Sequence, residues 1–179
     1  FKNGWMTARE ELPEDIEARM FSVLTMLATV SPNDKSYKVQ REAGETAEKV
    51  LDIIPDHPAG FHYAIHAYDV PLLSGNAIRV AKNYYKIAPE LPHALHMPTH
   101  IFTRLGYWDE SIELNSRSAV AALKYPVGDQ ISGHYFHALD YLAYAYLQIS
   151  ELEKAKNIVA VLDTLGGTYQ PVAATAYCL

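Results

Sequence analysis

The chain has 179 residues, 49% of them apolar and 20% charged, with a formal charge of -6. That is the size of one domain, with enough apolar surface to bury a core and too much for a disordered segment. Acidic and basic residues are interspersed without a Lys/Arg stripe, which argues against nucleic acid as a partner, and no apolar run approaches the ~18–20 residues that membrane insertion requires.

Phe1-Lys2-Asn3-Gly4-Trp5 reads like the interior of a protein, and the chain is expected to be a fragment of a longer one. The compartment, cytoplasmic or periplasmic, is therefore left open. Cys178 is the sole cysteine, so no internal disulfide forms, and with no basic neighbour it is not expected to be a nucleophile. Pro13-Glu14-Asp15 predicts a helix start, with acids in the first turn. Helix follows from Ile16 to Val30 and breaks at Ser31-Pro32-Asn33-Asp34. Further helices are predicted over Tyr37–Ile54, Pro58–Asp69, Gly75–Ile87, Pro92–Leu105, Trp108–Leu123, Gly133–Ile149 and Glu151–Leu165. Gly166-Gly167 reads as a stop, and residues 168–179 carry no clear period. No stretch alternates cleanly enough for a strand. The expectation is all-α: about four antiparallel helix pairs in a single helical repeat domain over residues 1–179.

Repeats support that reading. Pro55 and Pro89, Pro58 and Pro92, His62 and His96, and His66 and His100 all recur at an offset of 34, the length of a tetratricopeptide unit. Gly106-Tyr107-Trp108-Asp109-Glu110 and Ser150-Glu151-Leu152-Glu153-Lys154 read as the same inter-helix turn, 44 residues apart. The ten extra residues fall near Lys124–Gly133, where Pro126, Gly128 and Gly133 mark a loop. Such insertions are tolerated because each repeat touches only its neighbours. The clearest repeats are 58–91, 92–125 and 136–167. Small residues recur where paired helices pack closely, at Ala43, Ala77, Ser111 and Ala155.

The segments His57-Pro58-Ala59-Gly60-Phe61-His62-Tyr63-Ala64-Ile65-His66-Ala67-Tyr68-Asp69 and His93-Ala94-Leu95-His96-Met97-Pro98-Thr99-His100-Ile101-Phe102 carry a family resemblance. They resemble a group of bacterial tetratricopeptide-repeat proteins of unassigned biochemistry, with HPGxxHYxIHAxD and HAxHMxSHIF segments. Gly106-Tyr107-Trp108-Asp109 and Gly133-His134-Tyr135 match that group's later elements. The similarity runs from about Pro55 to Ala155, and loosely over the first 50 residues. It implies a right-handed superhelix and no particular activity. It also implies that positions two, five, nine and twelve of each first helix line a concave groove.

All eight histidines fall between positions 57 and 137. On the implied register, His62 and His96 stand at position five, and His66 and His100 at position nine. Asp69 stands at twelve, His93 and His137 at two, Asp140 at five and Tyr144 at nine, with Arg104 at the groove edge. An i, i+4 spacing alone puts each His pair on one helix face. Imidazoles at that density suit a transition metal such as zinc, copper or nickel, through His62, His66, His96 and His100. They equally suit hydrogen bonds to one another, to tyrosines or to a bound peptide. The metalloprotease helix motif is absent, because Tyr63 and Met97, not Glu, follow the first histidines. Pro98 is expected to kink its helix or mark the helix start, which weakens the shared face of His96 and His100.

Most of the 13 tyrosines, Tyr141 among them, read as packing, with Tyr63, Tyr68 and Tyr144 near the groove. The favoured function is a scaffold that binds a peptide or protein along a histidine-lined groove, with catalysis left open. The alternative is a metal- or small-ligand-binding protein that uses the same histidines.

Overall fold

A computed structural model describes residues 2–164; the Gly166-Gly167 stop and Cys178 lie outside the described residues. Helices account for nearly every segment, and among the described residues no strand forms. The chain divides into two compact units, one running to Ile87 and the other starting at Ala88.

The first unit holds α1 (Lys2–Glu11), α2 (Ile16–Ala28), α3 (Lys38–Ile53), α4 (Pro58–Tyr68), a 3-10 turn at Ser74–Ala77, and α5 (Ile78–Ile87). Asp15 starts α2 as expected: its carboxylate accepts the Ala18 N–H at 2.8 Å, which satisfies one orphan donor of the first turn. Pro58 occupies the first turn of α4, where its missing N–H costs nothing. Ahead of it, His57 Nδ1 accepts the Gly60 N–H, and the Nε2–H side of the ring meets Glu17 Oε1 at 3.2 Å. The core is built from Met20, Val23, Met26, Ala43, Ala47, Val50, Ile65 and Val80.

Several boundaries differ from expectation by one to three residues. The predicted start at Gly75 is a 3-10 turn, and the α-helix begins at Ile78. Tyr37 caps α3 in the left-handed region, at φ 53°, rather than opening it. The sequence also left residues 2–11 unassigned, where α1 forms. Its sequence, with Gly4 inside, has little helical signal of its own. Trp5 stacks on Phe21 of α2 at 4.5 Å, so tertiary packing holds this helix.

The second unit holds α6 (Pro92–Leu105), α7 (Trp108–Lys124), α8 (Gly133–Gln148) and α9 (Leu152–Thr164). α7 packs against both α6 and α8, and α6 also touches α8 directly. The two first helices therefore lie side by side on the support of α7. Ala119, Ala122, Tyr135, Ala138, Leu139 and Leu142 form the buried cluster joining α7 and α8. Ala43, Ala77, Ser111 and Ala155, the small residues picked out at close approaches, are all buried.

The turns after α6 and α8 share one geometry. Gly106 ends α6 at φ 77°, and Ser150 follows α8 at φ 63°. Tyr107 N–H donates to the Phe102 carbonyl, and Glu151 N–H to the Tyr146 carbonyl, both at 2.9 Å. These two bonds are the same 6→1 closure that ends a helix on a left-handed residue. The inserted loop between α7 and α8 carries one isolated bridge, Val127 with Gln130, around Gly128 at φ 61°.

Candidate functional site

Histidine pairs with the same nitrogen-to-nitrogen spacing occur on α4 and α6, their rings inclined at 45° and 79°. His62 and His66 bring their Nε2 atoms within 3.0 Å, with ring centroids 4.7 Å apart. His96 and His100 do the same at 3.0 Å and 4.8 Å. The 34-residue offset is thus matched by the same Nε2–Nε2 spacing in each unit. Pro98 does not prevent it, because α6 runs unbroken from Pro92 to Leu105. The expected disturbance of the His96–His100 face is corrected here: both side chains stay on one face.

Within the first unit, His62 and His66 are partly exposed. The His62 ring lies 5.3 Å from Tyr63 and 6.1 Å from Tyr84. Asp69 caps the end of α4, half-buried. Tyr68 is 1% exposed, and its hydroxyl donates to Glu48 Oε2 at 2.8 Å. It is a core residue and not part of an open face.

The second unit holds the denser cluster. Several ring contacts join α6 to α8, among them His93 to His134 at 5.2 Å, His96 to His137 at 4.2 Å, and His100 to Tyr141 at 5.1 Å. His96 and His100 are buried, and His93, His134, His137 and Tyr141 are half-buried. One ring nitrogen from each of His96, His100 and His137 lies within 4.8 Å of the other two. The Tyr141 ring closes over all three, 4.7 Å from His96 and 5.2 Å from His137.

Register and adjacency turn out to be different things. The expected register makes Asp140 and Tyr144 the repeat equivalents of His96 and His100. The side chains that meet those histidines are His137 and Tyr141, about one helical turn earlier. Side chains of neighbouring helices interleave rather than stand opposite their equivalents. Asp140 and Tyr144 are exposed instead, Tyr144 at 6.0 Å from the Trp108 ring, and Arg104 is exposed in the last turn of α6.

Behind the cluster, hydrogen bonds fix which nitrogen faces which. Asn115 on α7 is fully buried. Its amide nitrogen donates to the Ser111 carbonyl at 2.9 Å, so its Oδ1 is the atom that faces His96 Nδ1 at 2.8 Å. An amide oxygen only accepts, so His96 carries its proton on Nδ1 and leaves a lone pair on Nε2. Thr99 supports the same oxygen at 3.3 Å. On the other side, the Tyr141 hydroxyl lies 3.1 Å from His100 Nδ1.

Burial dominates the electrostatics. It holds His96 well below the ordinary imidazole value, helped by His100, His137 and His93 and opposed by the Asn115 hydrogen bond. His137 is pushed down to about 4 by burial, then by His100 and His134. Burial lowers His134 as well. His96, His134 and His137 are therefore held as neutral imidazoles at neutral pH, each with a lone pair to offer.

Sequence reasoning did not assign Asn115, His134 or Tyr141 to this site. Ser111, Asn115 and Ser118 form a polar row on the buried face of α7, and that row is the signal that would have pointed to Asn115.

No family model matches the chain, and no curated protein matches it. Among solved structures, the chain is similar to MamA MSR-1 C2, with TM-score 0.53 and 12% identity, over 88% of this chain and 91% of that one. It is also similar to a mutant form of MamA, with TM-score 0.55 and 12% identity, over 92% of this chain and 97% of that one. These likenesses support a tetratricopeptide-like helical repeat fold.

Proposed function

We propose that the chain is a helical-repeat scaffold that binds a peptide or protein partner along the face shared by α6 and α8. The observation that carries this reading is the mixed polar and aromatic surface flanking the histidine cluster. Arg104, Asp140 and Tyr144 are exposed there, and His93 and His137 are half-exposed beside them. Arg and Tyr are the side chains that most often anchor partners, since both combine large contact area with directional hydrogen bonds. Helical repeats suit this use because adjacent first helices present a continuous row of side chains. His62, His66 and Asp69 extend the same reading to the first unit.

Selection from a random peptide library, followed by fluorescence anisotropy, tests it. Peptides bound by the wild type are expected to weaken about 5–10-fold with Tyr144→Ala, and further with Arg104→Ala added, as for anchors worth ~1 kcal/mol or more each. Failure to select any binder, or binders indifferent to both substitutions, sinks the reading.

A further inference from the structure

We infer that His96, His100 and His137 form a three-imidazole site for a first-row transition metal ion, of the zinc, cobalt, nickel or copper class. The inference stands apart from the partner-binding reading and does not depend on it.

Geometry carries the argument. One ring nitrogen from each of His96, His100 and His137 lies within 4.8 Å of the other two, and His96 Nε2 and His100 Nε2 are 3.0 Å apart. A tetrahedral ion with metal–nitrogen bonds of ~2.0–2.1 Å holds its ligands ~3.3 Å apart. The His96 and His100 nitrogens therefore need to part by only a few tenths of an ångström, and the His137 nitrogen, within 4.8 Å of theirs, needs to move inward by at most about 1.5 Å to complete the set. Three imidazoles with a fourth position left open is the donor set of an accessible zinc-type site.

The surroundings match that use. A metal-bound histidine directs its second ring nitrogen to a hydrogen-bond partner, which fixes the tautomer and ring orientation. His96 has that partner in Asn115 Oδ1, and Asn115 is itself locked by Ser111. His100 has it in the Tyr141 hydroxyl. Without metal, one ordered chain of protons satisfies all of these groups. Tyr141 O–H donates to His100 Nδ1, His100 Nε2–H donates to His96 Nε2, and His96 Nδ1–H donates to Asn115. With metal bound, His100 moves its proton to Nδ1 and donates it to the Tyr141 oxygen, freeing Nε2. No net proton is gained or lost in that rearrangement. Tyr141 can take either role because a hydroxyl both donates and accepts. The sequence placed a metal on His62, His66, His96 and His100. The structure favours keeping the second pair and adding His137, because α8 delivers a third imidazole within the same compact unit.

Cobalt(II) titration of the full chain, followed by its visible d–d absorption, tests the site. One equivalent is expected to bind with the intense spectrum of a low-coordinate site. His137→Gln is expected to weaken binding at least 100-fold, and Tyr141→Phe about 10-fold, while His62→Gln with His66→Gln leaves most of the affinity intact. Far-UV circular dichroism checks that each variant keeps its helices. Should His137→Gln fold poorly, X-ray absorption of the zinc-loaded double variant His62→Gln, His66→Gln gives the ligand count directly, and three imidazoles per zinc are expected. Absence of stoichiometric binding of any of the four metals overturns the inference. So does binding that His137→Gln leaves unchanged, or fewer than three imidazoles on the zinc.

Discussion

Glycine 44 shows how one missing methyl group decides packing. It lies inside α3, and a Cβ added there would stand 2.2 Å from the Tyr68 ring. Tyr68 has no room to retreat, because it is 1% exposed and its hydroxyl is held by Glu48. In an unhindered helix Gly→Ala gains ~1 kcal/mol. At Gly44 overpacking costs ~1–3 kcal/mol and wins. Gly44→Ala is therefore expected to lower the urea midpoint. The same change at Gly4, exposed in α1 with nothing within 4 Å of the added atom, is expected to raise it or leave it level. Two shifts of the same sign would contradict this account. The polar residues of the cluster obey a similar logic. Asn115 is useful because its amide can face only one way.

At the scale of elements, helix ends hold most of the register. Gly106 and Ser150 adopt the same left-handed turn 44 residues apart, but only one of them is the residue suited to it. A non-glycine residue at positive φ carries a steric cost of ~1 kcal/mol. Ser150→Gly is expected to stabilise the second unit by ~0.5–1 kcal/mol, read as a higher melting temperature, and Gly106→Ala to destabilise by a similar amount. A lower melting temperature for Ser150→Gly would mean that its side chain contributes more than the backbone strain costs.

These ends also explain what was legible beforehand. Prolines at 58 and 92, the Asp15 cap and the small residues at close approaches are local signals, and from them eight helices could be placed within a few residues. α1 was not legible, because Trp5 and Phe21 meet only in three dimensions. The site was half legible. Periodicity put His96 and His100 on one face, since that depends on one helix alone. That His137 and Tyr141 meet them depends on the stagger of α8 against α6, and an equal-register count landed on Asp140 and Tyr144 instead.

For the whole molecule, titration is expected to act on both units, at opposite ends of the pH scale. In the second unit, His96, His134 and His137 sit below their ordinary value, chiefly through burial. The unfolded chain then takes up protons near pH 6.5 that the folded unit refuses. Stability contributed by these neutral rings is complete above about pH 6.5 and falls as pH drops towards 4, by at most ~1.4 kcal/mol per pH unit for each group. In the first unit, burial pushes Tyr84 up to about 12, with a contribution from Tyr63, and raises Tyr68 and Tyr63 as well. There the unfolded chain loses protons first, so stability is complete below about pH 10 and declines as pH rises above it. The chain's two tryptophans divide between the units: Trp5 stacks on Phe21 in the first, and Trp108 lies beside Tyr144 in the second. Trp5→Phe and Trp108→Phe thus give one fluorescent reporter per unit, each followed through urea unfolding at a series of pH values. The Trp108 reporter is expected to show a midpoint that falls between pH 6.5 and 4.5, with a shallower fall when His137→Gln removes one titrating ring. The Trp5 reporter is expected to show a midpoint that falls above pH 10. A Trp108 midpoint that stays level below pH 6.5, or that falls just as steeply with His137→Gln, would mean that these imidazoles are not held neutral by the fold.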